Sequence, residues 1–106
     1  MNEEIEPILV GEIDDIEIGS VENFEYEDNN FAIFRLESGF FSTQGNCNCE
    51  ERAPLSEAEI EEEELECVSC GNTYSIVSGD CISEPELDNL RVYDIYEEEG
   101  SIYLNL

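Results

Sequence analysis

The sequence predicts an all-β domain, a small sandwich or barrel with an inserted subdomain of about residues 44–72. Short segments rich in β-branched and aromatic residues recur along the chain, and turn-forming pairs such as Ser38-Gly39 separate them. Residues 101–106 alternate between apolar and polar side chains, which is the period of a half-buried strand. Few segments repeat a helical period over three turns, so we expect little helix. From the length of the chain we expect a single domain, residues 1–106.

The first strands are predicted to form a meander. The apolar residues Ile8-Leu9-Val10 predict an opening strand, and residues 11–19 form an acidic connection after it. Turn signals at residues 28–30 and 38–39 join the segments that follow, so consecutive strands should pair as hairpins. The strands of this meander are residues 20–26, 31–36 and 40–41.

The middle of the chain holds two cysteine loops with an acidic stretch between them. Residues 44–50 form the first loop and residues 67–72 the second. Ser56 with the acidic residues after it predicts a helix start over residues 56–59, because a serine cap and first-turn carboxylates stabilise a helix N-terminus. Like charges repel in the run Glu61–Glu64, so we expect a solvated short helix or turn there.

The last third of the chain is again predicted to consist of strands. Residues 73–77 are rich in β-formers, and Ser78-Gly79-Asp80 should turn them back into a strand at Cys81-Ile82. A final hairpin with an acidic turn completes the chain. Its two strands are residues 90–96 and 101–106.

Four of the five cysteines occur in two close pairs, Cys47-x-Cys49 and Cys67-x-x-Cys70, with 17 residues between the pairs. Two tight loops that each supply two thiolates can hold a metal centre, and thiolates select zinc, Cu(I) or iron–sulfur clusters over magnesium or calcium. The ligand type alone leaves zinc, a single iron and an iron–sulfur cluster open. Cys81 falls outside the pairs, and we expect it to be a small buried side chain.

The charge of the chain is extreme, with 29 aspartates and glutamates against three arginines and a net charge of −26. Nucleic acid and anionic lipid both require cationic contacts, so neither is expected as a partner. A protein partner with a basic docking face is expected instead, in an association that salt weakens. The acidity also fits a general adaptation to solubility or high salt, because the acidic residues are spread along the whole chain.

The chain contains no long apolar run, and Met1-Asn2-Glu3-Glu4 lacks the basic and apolar segments of a secretory signal. We therefore expect a soluble cytoplasmic protein with no membrane contact, and a monomer. In a reducing compartment, five cysteines favour metal binding over a disulfide framework.

Several stretches of the chain together point to one family. They are Cys47-x-Cys49, Ala53-Pro54-Leu55-Ser56, Cys67-x-x-Cys70-Gly71, Tyr74, Ser78-Gly79-Asp80, Pro85, Leu90, Tyr93 and Gly100–Leu104. With these motifs, residues 11–106 resemble a Rieske-type [2Fe–2S] ferredoxin. The resemblance implies an all-β domain with the cluster at the tip of a small subdomain. It also implies a soluble one-electron carrier between a reductase and an oxygenase or a similar acceptor.

The resemblance implies a ligand set in which this chain departs from the family. Cys47 and Cys67 match the cysteines that ligate one iron, whereas Cys49 and Cys70 stand where the family has histidines for the other. All four cysteines are therefore the candidate cluster ligands. Each thiolate that replaces a neutral imidazole adds a negative charge, so the potential should fall towards about −400 mV, as in plant-type ferredoxins.

Besides electron transfer, the sequence leaves one alternative class of function open and argues against another. A zinc-stabilised binding module, in which the same four cysteines hold the zinc and the acidic surface recruits a basic partner, is the alternative. Catalysis by the chain itself is not expected, because a chain without histidine or lysine lacks the usual general base and Schiff-base nucleophile. Paired carboxylates carry no specific signal in a chain this acidic.

Overall fold

The computed structural model describes residues 7–84 and 88–105, and strands dominate this part of the chain. Two short 3-10 helices, Ile13–Asp15 and Leu55–Glu57, are its helical elements, and none is long and apolar enough to span a membrane. The strands are β1 (Ile8–Glu12), β2 (Ser20–Tyr26), β3 (Asn29–Leu36), β4 (Gly39–Gln44), β5 (Glu59–Glu61), β6 (Glu64–Glu66), β7 (Thr73–Ser75), β8 (Val92–Glu98) and β9 (Ser101–Asn105).

The larger sheet is antiparallel and nearly closes into a barrel. Its strand order is β1-β9-β8-β4-β3-β2, and strands β2, β3 and β4 form the predicted meander. The two edge strands face each other, because residues 10–12 of β1 and 22–24 of β2 line one cavity of about 140 Å³. The all-β prediction is thus confirmed. Of the two predicted forms, a sandwich and a barrel, the barrel is closer to the observed sheet.

Strand β3 is buried on both of its faces. Phe31 and Ile33 point into the barrel interior, where Ile102 and Leu104 of β9 also lie. The alternate residues Ala32 and Phe34 belong to a second core between the two sheets. This period-two division follows from the pleat of a strand, and it explains why β3 is a nearly continuous apolar run rather than an alternating one.

The smaller sheet consists of β5, β6 and β7, and its two faces differ completely in chemistry. Leu65 pairs with Ile60 and Tyr74 on the face that packs against the second core. On the other face Glu59 is paired with Glu66. Glu61 and Glu64 form a like-charge pair beside them. Like charges directly opposite each other destabilise a sheet, so burial of the inner face must offset the repulsion between these carboxylates.

The helix predicted to start at Ser56 is wrong. Leu55–Glu57 forms one 3-10 turn, closed by the Ala58 N–H on the Leu55 carbonyl at 3.1 Å, and β5 follows directly. The strand pair is more favourable than a helix here because it buries Ile60 and Leu65 while leaving the glutamates in water. Of the two forms predicted for the glutamate run, the turn is correct at Glu62, whose φ of 57° reverses the chain between β5 and β6.

The strand predicted at Cys81-Ile82 is also wrong, since Cys81 makes only an isolated bridge with Tyr74. The preceding strand ends early, at Ser75, because the Gly79 N–H bonds the Ser75 carbonyl at 2.8 Å and closes a turn. Strand β8 begins at Val92 rather than residue 90. The end of the chain agrees with its prediction through Asn105, and Leu106 lies outside the described residues, as does Pro85.

Gly79→Ala should cost much more stability than Gly100→Ala. Both glycines have a positive φ, 83° and 84°, but a Cβ at Gly79 would overlap the Leu90 carbonyl oxygen, whereas one at Gly100 meets nothing within 4 Å. We expect a loss of about 1–2 kcal/mol in the free energy of unfolding for Gly100→Ala, and about 3 kcal/mol or more for Gly79→Ala.

Urea unfolding followed by far-ultraviolet circular dichroism measures both losses. Gly100→Ala is the matched control, because it introduces the same backbone strain without the steric overlap. Equal losses in the two variants would show that the contact between Gly79 and Leu90 does not constrain the fold.

Candidate metal centre

Four thiols converge between the two sheets. Cys47 and Cys49 lie in the loop after β4, and Cys67 and Cys70 lie in the loop between β6 and β7. Their sulfur atoms all lie within 4.8 Å of one another, and the Cys47 and Cys70 sulfurs are 3.7 Å apart. The structure therefore brings together the four cysteines that the sequence singled out, from positions up to 23 residues apart.

Burial divides the four cysteines into an inner and an outer pair. Cys47 and Cys67, the first cysteine of each loop, are 0% and 1% exposed and belong to the second core. Cys49 is half-buried and Cys70 is exposed. A group held by all four sulfurs would have one side in the core and the other side near the protein surface.

Cys81 is buried, as predicted, and lies outside the group of four thiols found among the described residues. Its sulfur is 4.0 Å from the Ser83 hydroxyl, and the residue packs in the second core. Its place in the fold is therefore that of a small apolar side chain, as is common for free cysteine.

The first cysteine loop is built on a close approach between backbones. The Gly45 N–H donates to the Asn30 carbonyl at 2.9 Å, and a Cβ at Gly45 would lie 2.5 Å from the Asn30 Cβ. Within the loop, the Cys47 N–H donates to the Ala53 carbonyl at 2.8 Å. Only glycine allows this approach, so Gly45 fixes where the loop leaves the sheet.

The second cysteine loop is a tight turn closed on itself. The Cys67 N–H donates to the Asn72 carbonyl at 3.0 Å, and the Gly71 N–H donates to the Cys67 carbonyl at 3.0 Å. Gly71 has a φ of 77°, a conformation that glycine adopts without steric cost. The turn presents both sulfurs of the loop to the first loop.

Backbone N–H groups face the sulfur atoms and favour their anionic form. The Ser69 N–H lies 3.4 Å from the Cys67 sulfur. The Ala53 N–H lowers the pKa of Cys49 to about 7, although partial burial opposes this shift. Such donors stabilise a thiolate, which is the state that binds metals.

Burial acts in the opposite direction on the pKa values of Cys47 and Cys70. It raises the pKa of Cys47 to about 12, and the N–H of Cys49 offsets only part of this. Burial also raises the pKa of Cys70, against the N–H of Asn72. A cation bound among the four sulfurs would favour the anionic form of all four together, including the thiols of Cys47 and Cys70, whose pKa values burial raises.

Tyr74 lies beside the thiols, although nothing in the local sequence assigns it to the site. It is fully buried, its hydroxyl oxygen lies 3.9 Å from the Cys47 sulfur, and burial raises the pKa of Tyr74. A tyrosine in a predicted strand carries no sign of a polar role, and only its place in the family motif singled it out.

The donor set fits a soft metal centre. It consists of thiols alone, in two loops with N–H groups directed at sulfur, and it lies on a rigid β scaffold. Soft ligands of this kind suit an iron–sulfur cluster or zinc, and hard cations prefer oxygen.

The amino-acid sequence matches the model of one protein family, the Rieske [2Fe–2S] domain, over residues 6–94. Among curated proteins, the ferredoxin CarAc of Metapseudomonas resinovorans is 27% identical over 73 residues, which are 69% of this chain and 67% of that protein.

Solved structures of other proteins share the fold. The complex of reduced oxygenase and oxidized ferredoxin in carbazole 1,9a-dioxygenase contains a chain with a TM-score of 0.85 at 23% identity, with 93% of this chain and 92% of that chain covered. For the ferredoxin of carbazole 1,9a-dioxygenase from Nocardioides aromaticivorans IC177, the TM-score is 0.83 at 19% identity, with 92% and 95% covered. The Sphingomonas yanoikuyae B1 ferredoxin gives 0.85 at 17% identity, with 95% and 99% covered.

These matches agree with the all-β fold described above. Because the family model spans most of the chain, this protein belongs to the Rieske [2Fe–2S] domain family, and four cysteines lie together in its fold.

Proposed function

We propose that this protein is a one-electron carrier that holds a [2Fe–2S] cluster on Cys47, Cys49, Cys67 and Cys70. The convergence of these four thiols within a Rieske-family fold is the observation that carries the proposal. A cluster bound there supplies reversible one-electron chemistry at low potential, and the chain itself makes and breaks no substrate bond.

The chain contributes burial, orientation and electrostatics to this task. Cys47 and Cys67 anchor the centre in the core, where water is excluded. Exposed Cys70 and half-buried Cys49 bring the centre close to the surface, where a redox partner can approach. The N–H groups of Ser69 and Ala53 stabilise negative charge on sulfur.

An electron transfer role between a reductase and an oxygenase, or a similar acceptor, is supported by the relatives. The relative CarAc is named a ferredoxin, and one structure with the same fold is described as a complex of ferredoxin and oxygenase. We infer that the protein acts as a monomer in the cytoplasm and that its partners bind through complementary surfaces.

The surface beside exposed Cys70 is acidic, which favours a partner with a basic docking face. A groove of about 330 Å³ is lined by the carboxylate residues Glu59 and Glu66 together with residues 67–71 of the second cysteine loop. The net charge of −26 has the same sign, so it would steer a basic partner from a distance and exclude acidic ones.

A zinc-stabilised binding module is the second candidate, and one distance favours it. Zinc–sulfur bonds of about 2.3 Å in a tetrahedron place the sulfurs about 3.8 Å apart. The Cys47 and Cys70 sulfurs are 3.7 Å apart, and the whole group is compact. In that case the metal would be structural, and the acidic surface would recruit a basic partner.

Absorption spectra and metal analysis separate the two candidates. Protein purified without oxygen should be red-brown, contain two irons for each chain, and bleach partly with dithionite. A colourless protein with one zinc for each chain would overturn the electron-transfer proposal in favour of the structural metal.

The midpoint potential should be low and independent of pH. Four thiolate ligands place more negative charge on the cluster than a ligand set with imidazoles, so we expect a value near about −400 mV. The chain has no histidine whose ring could couple proton and electron uptake, so the potential should not change between about pH 6 and pH 9. A potential above about −150 mV, or a clear slope with pH, in protein-film voltammetry contradicts the all-cysteine ligand set.

Substitution of the cysteines tests which sulfurs are ligands. Cys49→Ser and Cys70→Ser should destabilise the cluster or shift its visible bands, because oxygen is a harder ligand than sulfur. Cys81→Ser is the matched control and should leave the spectrum nearly unchanged, since Cys81 lies outside the thiol group. Loss of the cluster in the Cys81 variant would mean that a different set of four cysteines binds it.

A further inference from the structure

Gln44, the last residue of β4, uses its whole side-chain amide to hold the first cysteine loop. Its Nε2 group donates to the Asn46 carbonyl at 2.7 Å and to Asn48 Oδ1 at 2.9 Å. Its Oε1 accepts the Arg91 N–H at 2.8 Å, and its own N–H donates to the Arg91 carbonyl at 2.9 Å. Gln44 is therefore fixed by β4 and by the segment before β8, and it transmits that fixed position to the loop.

Asn48, which stands between the two cysteines of the loop, continues this connection. Its Oδ1 accepts the bond from Gln44, and its Nδ2 donates to the carbonyls of Asp88 and Asn89 at 3.3 and 3.2 Å. The side chain thus spans from the end of β4 to residues 88–89. Both hydrogens of the amide and its oxygen have partners, so no other residue type fills this position in the same way.

The other hydrogen bonds made by backbone groups in the tip of the first cysteine loop, residues 46–53, are internal to the tip. The Cys47 N–H bonds the Ala53 carbonyl, the Arg52 N–H bonds the Cys49 carbonyl, and Asn46 Nδ2 bonds the Arg52 carbonyl. These bonds give the loop its shape and do not fix where it lies. Among the described residues, the amides of Gln44 and Asn48 are the groups that tie the polar backbone of the tip to other parts of the fold.

The same connection reaches the opposite side of the thiol group. Asn89, which accepts a bond from Asn48, also accepts the Cys81 N–H on its Oδ1 at 3.4 Å. Cys81 forms a bridge with Tyr74, and the Tyr74 hydroxyl lies beside the Cys47 sulfur. These contacts form a ring that runs from Asn48 through Asn89, Cys81 and Tyr74 to Cys47. A shift of Asn48 would therefore change the distance between the two cysteine loops.

We propose that Gln44 and Asn48 are positioning residues that set the separation of the two cysteine pairs and thereby the retention of the bound metal centre. The inference rests on the proposed ligand set. Neither residue would touch the metal through its side chain, because the amides of both point to the backbone and to each other. They act by keeping Cys47 and Cys49 at the distance from Cys67 and Cys70 that the metal centre requires.

The test compares isosteric variants. Asn48→Asp keeps the acceptor for Gln44 but turns an oxygen towards the Asp88 and Asn89 carbonyls. Gln44→Glu keeps the acceptor for Arg91 but directs an oxygen at the Asn46 carbonyl. In both variants we expect loss of the visible absorption to a ferrous chelator to be about tenfold faster than in the unmodified protein, with an altered visible circular dichroism spectrum.

Asn23→Asp is the matched control, because it makes the same chemical change on an exposed residue of β2. It should release its metal at the rate of the unmodified protein and keep its spectrum. Thermal unfolding of the chain, followed in the far ultraviolet, separates loop displacement from a general loss of stability. If Gln44→Glu does not take up metal, Asn48→Ala gives the same measurement, since it only removes the bonds of an exposed side chain.

The two residues should also be coupled. Gln44→Ala and Asn48→Ala break one bond in common and others that each residue makes alone, so the acceleration in the double variant should be smaller than the product of the two single effects. Release at the unmodified rate in both isosteric variants, or independent effects that multiply, would overturn the inference. If the unmodified protein holds zinc, the proposed cluster is wrong, and zinc release to a chromophoric chelator tests the positioning role separately.

Discussion

The packing of the core between the two sheets determines where the two inner cysteines, Cys47 and Cys67, lie. Phe34 from β3 and Leu65 from β6 share this core with Cys47 and Cys67. Because the buried cysteines are themselves core residues, the loops that carry them cannot move apart without exposing apolar surface, at a cost of about 25 cal/mol for each Å². The hydrophobic effect therefore favours the approach of the two cysteine loops, and a bound metal would add its own free energy of binding to that of the packing.

The electrostatics of the chain are arranged around the same core. Carboxylates occupy the outer face of the smaller sheet, where Glu59 is paired with Glu66 and Glu61 with Glu64. Solvent screens these pairs, and at physiological salt their repulsion is short-ranged. The core side of the same strands carries no charge and accommodates the thiols. The protein thus presents a strongly negative surface within a few residues of the four sulfurs, where backbone N–H groups of the loops face sulfur and favour negative charge on it.

Much of this arrangement could be predicted from local patterns. The meander β2-β3-β4 follows from its turn residues, and the four site cysteines follow from their spacing and from the absence of histidine. The hairpin at residues 59–66 could not be predicted in the same way, since a serine followed by acidic residues is also the signature of a helix start. Pairing across space decided the outcome, because only the strand form buries Ile60 and Leu65 on one side.

The polar contacts of the site were the least predictable part, since Gln44 and Asn48 act through partners that lie 2 to 47 residues away in the sequence. No local pattern distinguishes a strand-end glutamine with three side-chain hydrogen bonds from one that faces solvent, so the cysteine spacing predicts which thiols come together but not which side chains hold the loops.

The double burial of β3 has a consequence for how the protein opens. Its alternate residues belong to different cores, Phe31 and Ile33 to one and Ala32 and Phe34 to the other, so neither core can be solvated while the strand keeps its place. The amide protons of β3 are then protected by the free energy of global unfolding rather than by that of a local fluctuation. The barrel and the thiol-bearing layer are joined into one cooperative unit, and the four cysteines keep their surroundings for as long as that unit stays folded.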